Sequence, residues 1–122
     1  MRVLIVDDSD LIRRRLGAML SEMKGIELVG EARDSLEATK LALNLKPDAV
    51  ILDIRMPAGS GINVLENIKR ATPAPKVIML TNYPYPQYRK KAEDAGADFF
   101  FDKATEFDKV AEAVEELRIA ER

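Results

Sequence analysis

The chain has 122 residues, of which 47% are hydrophobic and 33% charged, a composition typical of one folded globular domain rather than a disordered segment. It has no cysteine and no histidine, which excludes disulfide bonds, thiolate clusters and most zinc sites, so any metal must be bound through oxygen. The net charge of −2 provides no basic surface for nucleic acid. No apolar run approaches the roughly 20 residues that a helix needs to cross a bilayer.

The first residues of the chain do not indicate a targeting segment. Val3–Val6 is too short for the apolar core of a signal peptide, and two carboxylates follow it at once. We therefore expect a cytoplasmic protein that does not associate with a membrane.

Five short segments along the chain predict strands. They are Arg2–Val6, Glu27–Ala32, Ala49–Leu52, Lys76–Leu80 and Asp98–Phe101. The first, third and fourth contain continuous apolar runs, which are typical of strands covered on both faces. The second alternates without such a run and is expected at an edge of the sheet.

Apolar residues at helical spacing predict a helix after each strand. The first helix is capped by Asp8 or Ser9, the second begins at Asp34-Ser35, the third ends before Thr72-Pro73, the fourth ends at Gly96, and the fifth begins with a capping box from Thr105 to Asp108. The fourth helix is expected to be the least firmly anchored, because its apolar face consists of Tyr88, Ala92 and Ala95 alone. The alternation predicts an α/β fold in one domain, residues 1–122, with a parallel sheet covered on both faces.

Polar side chains follow four of the five predicted strands. Asp7 and Asp8 follow the first strand, Asp53 the third and Thr81 the fourth, and Lys103 comes two residues after the fifth. Because the carboxyl ends of parallel strands lie at the same edge of a sheet, we expect these side chains to form one site.

Each of these residues also has an ordinary explanation when taken alone. Asp8 can cap a helix, Asp53 can stand in a turn, Thr81 can be a loop hydroxyl and Lys103 a surface lysine. Complementary chemistry at four strand ends on one edge favours a site.

The predicted site has the chemistry of phosphoryl transfer. Three clustered carboxylates repel one another unless a cation is present, and Mg²⁺, with Mn²⁺ as a substitute, suits oxygen ligands. A lysine and a threonine hydroxyl can neutralise and bind phosphoryl oxygens, and an aspartate is a competent phosphoryl nucleophile.

Four segments carry a resemblance to a known family. They are Leu4-Ile5-Val6-Asp7-Asp8, Val50-Ile51-Leu52-Asp53-Ile54-Arg55-Met56-Pro57, Met79-Leu80-Thr81 and Phe100-Phe101-Asp102-Lys103. In this order they resemble the receiver domain of response regulators in two-component signalling, over almost the whole chain. The resemblance implies a flavodoxin-like, doubly wound fold, in which a five-stranded parallel sheet of order 2-1-3-4-5 has five helices on its two faces.

The resemblance also implies roles for individual residues. Asp53 would be the phosphoacceptor, Lys103 the lysine that pairs with the phosphoryl group, and Thr81 the switch hydroxyl. Phe100 would be the aromatic residue that changes rotamer on phosphorylation, although a core role suits it equally well.

A magnesium site is implied in the same way. Asp8, Asp53 and the backbone carbonyl of Arg55 would be direct ligands of Mg²⁺, while Asp7 would act mainly through water.

The implied partners follow from the family. A sensor histidine kinase or a phosphotransfer protein would donate the phosphoryl group, and a downstream protein would bind the face made by the fourth helix, fifth strand and fifth helix (α4-β5-α5). That face would present Tyr85, Tyr88, Arg89, Lys90 and Lys91. The chain would be a phosphoaccepting signalling domain rather than an enzyme, and it would bind neither nucleic acid nor membrane. The cognate kinase, the output and the oligomeric state stay open.

Three alternatives are compatible with parts of the pattern. A phosphohydrolase of the haloacid dehalogenase type would need an Asp-x-Asp motif after the first strand. An FMN-binding module would need a hydroxyl- and glycine-rich loop where Asp7-Asp8-Ser9-Asp10 stands. A receiver that only docks, without phosphorylation, would not need the intact acidic set.

The sequence also departs from the commonest receiver pattern. Asn82 replaces a small residue after Thr81, and Ala104 replaces a proline after Lys103. Arg55 and Tyr83 occupy variable positions, where we expect two large side chains to shield a phosphoryl group from water.

Overall fold

The computed structural model describes residues 1–57 and 59–121. Five parallel strands form one sheet in the order β2-β1-β3-β4-β5, which confirms the predicted α/β fold and order 2-1-3-4-5. The strands are β1 (Arg2–Val6), β2 (Glu27–Ala32), β3 (Ala49–Leu52), β4 (Lys76–Thr81) and β5 (Phe99–Asp102). The helices are α1 (Asp10–Ser21), α2 (Ser35–Leu45), α3 (Gly61–Ile68), α4 (Pro86–Asp94) and α5 (Lys109–Ala120).

The bounds of β1, β2 and β3 are as predicted. Strand β4 ends one residue later than expected, and β5 both begins and ends one residue later. Thr81 and Asp102 are paired in the ladder between these two strands. The prediction was wrong there because it followed the apolar run, whereas the backbone ladder continues through polar end residues. Lys103 therefore follows β5 directly rather than two residues later.

The helix caps agree with the sequence at two of three positions. Ser9 caps α1, its hydroxyl oxygen accepting a hydrogen bond from Ile12 N at 3.3 Å, and Asp34 caps α2. The capping box expected at α5 was wrong, because the Asp108 side chain makes no cap hydrogen bond. Carbonyls of the preceding turn bind the N–H groups of Lys109 and Val110 instead.

The sheet separates two apolar layers. On one face, Leu4, Val50 and Met79 pack against α2, α3 and α4, and on the other, Ile5 and Ile51 pack against α1 and α5. Side chains of a strand alternate between faces, so the continuous apolar runs of β1, β3 and β4 supply both layers.

Helix α4 is the least embedded of the five helices. Among its residues, only Ala92 is buried, which agrees with the thin apolar face of its sequence. No helix in the described part of the chain combines the length and apolar character that a membrane span requires.

A short antiparallel hairpin follows Asp53 and was not predicted. Arg55–Met56 pairs with Gly59–Ser60, and the chain then enters α3 at Gly61. The N–H of Gly61 donates to Ile54 O at 2.6 Å, and a Cβ at Gly61 would lie only 1.8 Å from Asp53 O. The hairpin therefore closes onto the backbone of Asp53, and only glycine permits this approach.

Candidate functional site

The backbone ladder places three of the predicted site residues. Each lies one residue beyond a strand, and its N–H donates to a carbonyl of the neighbouring strand. The bonds run from Asp7 N to Ala32 O at 3.0 Å, from Asp53 N to Val6 O at 3.0 Å and from Lys103 N to Thr81 O at 2.9 Å. The sheet therefore fixes where these side chains begin, and it brings them to one edge as the sequence predicted.

Three carboxylates meet at this edge. Asp7, Asp8 and Asp53 each offer an oxygen, and these oxygens lie within 4.8 Å of one another. Asp7 and Asp53 are buried, whereas Asp8 is exposed. Such a group is costly without a cation, because buried like charges repel one another and lack water.

Lys103 supplies one cation inside the cluster. Its Nζ lies 2.6 Å from Asp7 Oδ2 and 2.9 Å from Asp53 Oδ2, and its side chain is 6% exposed. Burial opposes the charge on Lys103, but the hydrogen bonds and attraction of the two carboxylates outweigh it and raise the pKa of the lysine. Lys103 therefore stays protonated between the two buried aspartates.

The environment of Asp53 does not fully compensate for its charge. Burial raises the pKa of Asp53, although Lys103 acts in the opposite direction. Its Oδ1 accepts a hydrogen bond from Ile54 N at 2.7 Å, and its Oδ2 accepts one from Lys103. A further cation or a bound electrophile would relieve the remaining cost.

The two N-terminal aspartates differ in how they are held. Asp7 uses both oxygens, since Oδ1 accepts from Ser9 N at 2.9 Å and Oδ2 pairs with Lys103. Within residues 1–57 and 59–121, the Asp8 carboxylate has no hydrogen bond or ion pair, so both of its oxygens are available to an ion. The all-oxygen donor set fits Mg²⁺. The carbonyl of Arg55 as a further ligand stays a prediction.

The two predicted switch residues lie on the paired strands β4 and β5. Thr81 is fully buried, and its Oγ1 accepts a hydrogen bond from Tyr83 N at 2.9 Å, so its hydroxyl hydrogen is still available to donate. Phe100 is buried in the layer shared with α4, and the Arg89 guanidinium lies 4.6 Å from its ring centroid. Arg89 therefore anchors α4 to β5, a contact that the sequence did not reveal.

Arg55 and Tyr83 come together over the edge of the sheet. The Arg55 guanidinium lies 4.2 Å from the centroid of the Tyr83 ring. This contact joins the hairpin after β3 to the segment after β4, next to the two strand ends that carry Asp53 and Thr81.

The segment after Lys103 is fixed by a pair of residues that the sequence analysis missed. Glu106 Oε1 accepts a hydrogen bond from Asp102 N at 3.0 Å, and Glu106 N donates to Asp102 O at 2.8 Å. The hydrogen bond from Asp102 N also lowers the pKa of Glu106. This reciprocal pair orders the loop where many receivers have a proline, and a carboxylate four residues after Asp102 was its one signal in the sequence.

Comparison with known proteins gives concordant matches. Residues 3–115 match the family model of the response regulator receiver domain. A protein-glutamate methylesterase/protein-glutamine glutaminase from Alkalilimnicola ehrlichii is 42% identical over 104 residues, which cover 84% of this chain and 26% of that protein. The chain spans between about a quarter and just over half the length of the first curated relatives that it matches.

Solved structures agree with this. The response regulator domain of CheB from Thermotoga maritima is 35% identical with a TM-score of 0.86, and the match covers 98% of this chain and 95% of that one. A structure of the CheX-CheY-BeF3-Mg+2 complex from Borrelia burgdorferi matches with 31% identity and a TM-score of 0.80, over 93% of this chain and 89% of that one.

Proposed function

Because this chain belongs to the response regulator receiver family and is a two-component signalling receiver, we propose that Asp53 is its phosphoacceptor. The observation that carries the proposal is the pairing of Lys103 with both Asp7 and Asp53 inside the acidic cluster. A buried carboxylate whose charge is incompletely neutralised, next to a fixed ammonium group, is suited to receive a phosphoryl group.

The proposed donor is a phosphohistidine of a sensor kinase or of a phosphotransfer protein. A carboxylate oxygen of Asp53 attacks the phosphorus atom, the bond from phosphorus to the histidine nitrogen breaks, and an acyl phosphate remains on Asp53. Lys103, already beside Asp53, pairs with the transferred phosphoryl oxygens, and the Thr81 hydroxyl turns its hydrogen towards one of them.

Mg²⁺ would be held by Asp8 and Asp53 with the carbonyl of Arg55, and by Asp7 through water, with Mn²⁺ as a substitute. When bound, the ion supplies positive charge that offsets the charge of the phosphoryl group. The carboxylate cluster supports this assignment by its oxygen donors, and the Borrelia burgdorferi structure is of a complex that includes BeF3 and Mg+2.

The proposed output is a change in the face formed by α4, β5 and α5. Attraction of Thr81 to the phosphoryl group would let Phe100 change its rotamer and shift α4. Helix α4 suits this role because Ala92 is its one buried residue, and because Arg89 links the helix directly to the ring of Phe100. A downstream protein would bind this face, which includes Tyr85 and Lys91.

The proposal is confined to signalling by one domain over residues 1–122. The chain would promote its own phosphorylation and loss of the phosphoryl group, without turnover of another substrate and without binding nucleic acid. A cytoplasmic location stays a prediction.

The proposed acceptor can be tested by intact-mass measurement. The protein is incubated with Mg²⁺ and acetyl phosphate, alongside Asp53→Asn and a sample containing EDTA. We expect one phosphoryl group on the unmodified protein and none in either control. Phosphorylation of Asp53→Asn would place the acceptor elsewhere. If no sample gains mass, binding of beryllofluoride distinguishes a receiver that rejects acetyl phosphate from one that only docks. Absence of beryllofluoride binding would leave only the docking role.

A further inference from the structure

Arg13 is a buried arginine behind the metal-binding turn. The sequence presents it as one of three consecutive arginines, Arg13-Arg14-Arg15, which are expected to form a solvated or docking surface of α1. In the structure Arg14 and Arg15 are exposed, whereas Arg13 is only 8% exposed. A buried guanidinium is retained only where several acceptors satisfy it.

The acceptors of Arg13 lie on three segments. Its Nη1 donates to the backbone carbonyl of Asp7 at 2.6 Å, its Nη2 pairs with Asp10 at the start of α1, and its Nε lies 3.3 Å from Glu31 on β2. The planar group therefore ties the end of β1 to the first turn of α1 and to the edge strand. A single ammonium could not span all three acceptors.

These contacts fix the peptide that joins Asp7 to Asp8. The N–H of Asp7 is already in the sheet ladder, its Oδ1 accepts from Ser9 N, and its carbonyl is held by Arg13. The carbonyl of Asp7 belongs to the same peptide unit as the N–H of Asp8. Its orientation therefore sets the direction in which the exposed carboxylate of Asp8 leaves the backbone.

We propose that Arg13 is a positioning residue that holds the Asp7-Asp8 turn in the arrangement that binds Mg²⁺. The inference rests on the proposed function, since it assumes that the carboxylate cluster takes this ion. Arg13 does not touch the cluster's oxygens; it acts through the backbone between the two aspartates.

Positioning and simple charge predict opposite effects on Mg²⁺ affinity. A positive charge near the cluster repels a cation, so a purely electrostatic Arg13 would weaken binding and its removal would tighten it. If Arg13 instead positions the turn, its removal weakens binding. Losing an outer partner of a metal site typically costs about 10- to 100-fold in affinity.

The experiment is a calorimetric Mg²⁺ titration of the full chain and its Arg13→Met and Arg13→Lys variants. Arg14→Met and Arg14→Lys, at the exposed neighbouring position, are the matched controls. We expect about a tenfold or greater loss of affinity in both Arg13 variants and no change in the controls. Arg13→Lys separates geometry from charge, because it keeps the charge but loses the planar fork.

Tighter binding by Arg13→Met with unchanged Arg13→Lys would overturn the proposal in favour of simple charge. Unchanged affinity in both variants, with a lower urea midpoint, would reduce Arg13 to a purely structural role. If Arg13→Met fails to fold, Glu31→Gln, which removes one acceptor at a half-exposed position, must still weaken binding for the proposal to stand. Absence of Mg²⁺ binding by the unmodified chain would contradict the proposed function itself.

Discussion

Two side chains near Asp53, the proposed acceptor, bear on how long a phosphoryl group would survive there. Asn82 is exposed, and the Arg55 guanidinium lies against the Tyr83 ring. A cation–π contact of this kind contributes about 0.5–1 kcal/mol at an exposed site. We expect this pair to cover a phosphoryl group on Asp53 and to shield it from water.

Removing either half of this cover should speed hydrolysis of the acyl phosphate. In Arg55→Ala and Tyr83→Ala we expect loss of the phosphoryl group to be about two- to fivefold faster. This factor corresponds to the free energy of the cation–π contact that water must break to reach the phosphorus atom. Intact-mass measurement over time gives the rate, and Lys90→Ala on the exposed side of α4 is the control. Equal rates in all four proteins would contradict the shielding idea.

The hairpin after β3, an element of four paired residues, holds the backbone of Asp53, the proposed acceptor. Its return strand brings Gly61 against the carbonyl of Asp53, and α3 begins there. The reason for glycine at position 61 appears only when the two backbones are seen in contact. Periodicity does not report such contacts between segments.

A Cβ at Gly61 should force the hairpin away from the acceptor. Gly61→Ala places that atom 1.8 Å from Asp53 O, so we expect a loss of about 3 kcal/mol or more in the free energy of unfolding, and weaker phosphorylation. Urea denaturation measures the first effect and intact mass the second.

Gly17→Ala is the matched control for this substitution. Gly17 lies inside α1, where the nearest atom to a new Cβ is Leu28 Cδ2 at an ordinary 3.7 Å. We expect this variant to gain about 0.5–1 kcal/mol, since alanine is the better helix former. If both variants behave alike, the close approach at Gly61 does not constrain the acceptor.

The molecule as a whole was predictable where one-dimensional patterns decide the structure. Continuous apolar runs identified the central strands, and the alternation at Glu27–Ala32 identified the edge strand. Carboxylates after strand ends predicted the acidic cluster of Asp7, Asp8 and Asp53. The burial of Arg13 and the pairing of Glu106 with Asp102 were not predictable, because they depend on which polar groups meet after folding.

The buried charge of Asp53 should lower the free energy of unfolding of the whole domain at neutral pH. Its pKa is raised above the reference value of 3.8, so between that pH and the folded pKa the native state holds more protons than the unfolded chain. The contribution of protonated Asp53 to the free energy of unfolding is fully present below pH 3.8. It is lost as the pH rises through the folded pKa.

Asp53→Asn removes this loss. In EDTA we expect its urea midpoint to match that of the unmodified protein in acid and to exceed it at neutral pH. Asp108→Asn makes the same charge change at an exposed position whose side chain makes no cap hydrogen bond, and it should show no such divergence. A lower neutral midpoint for Asp53→Asn would mean that its pair with Lys103 stabilises more than burial costs.

The hydrogen bonds that extend the sheet ladder to Asp7, Asp53 and Lys103 affect which parts of the domain can change during evolution. They fix the proposed phosphorylation site to the backbone of the sheet and not to the outward sides of α4 and α5. Under the proposed function, substitution of those outer residues in a duplicated gene would change the downstream partner and leave phosphorylation of Asp53 intact. By the same proposal, substituting the exposed residues of α4 and α5 should direct one stimulus to a different response.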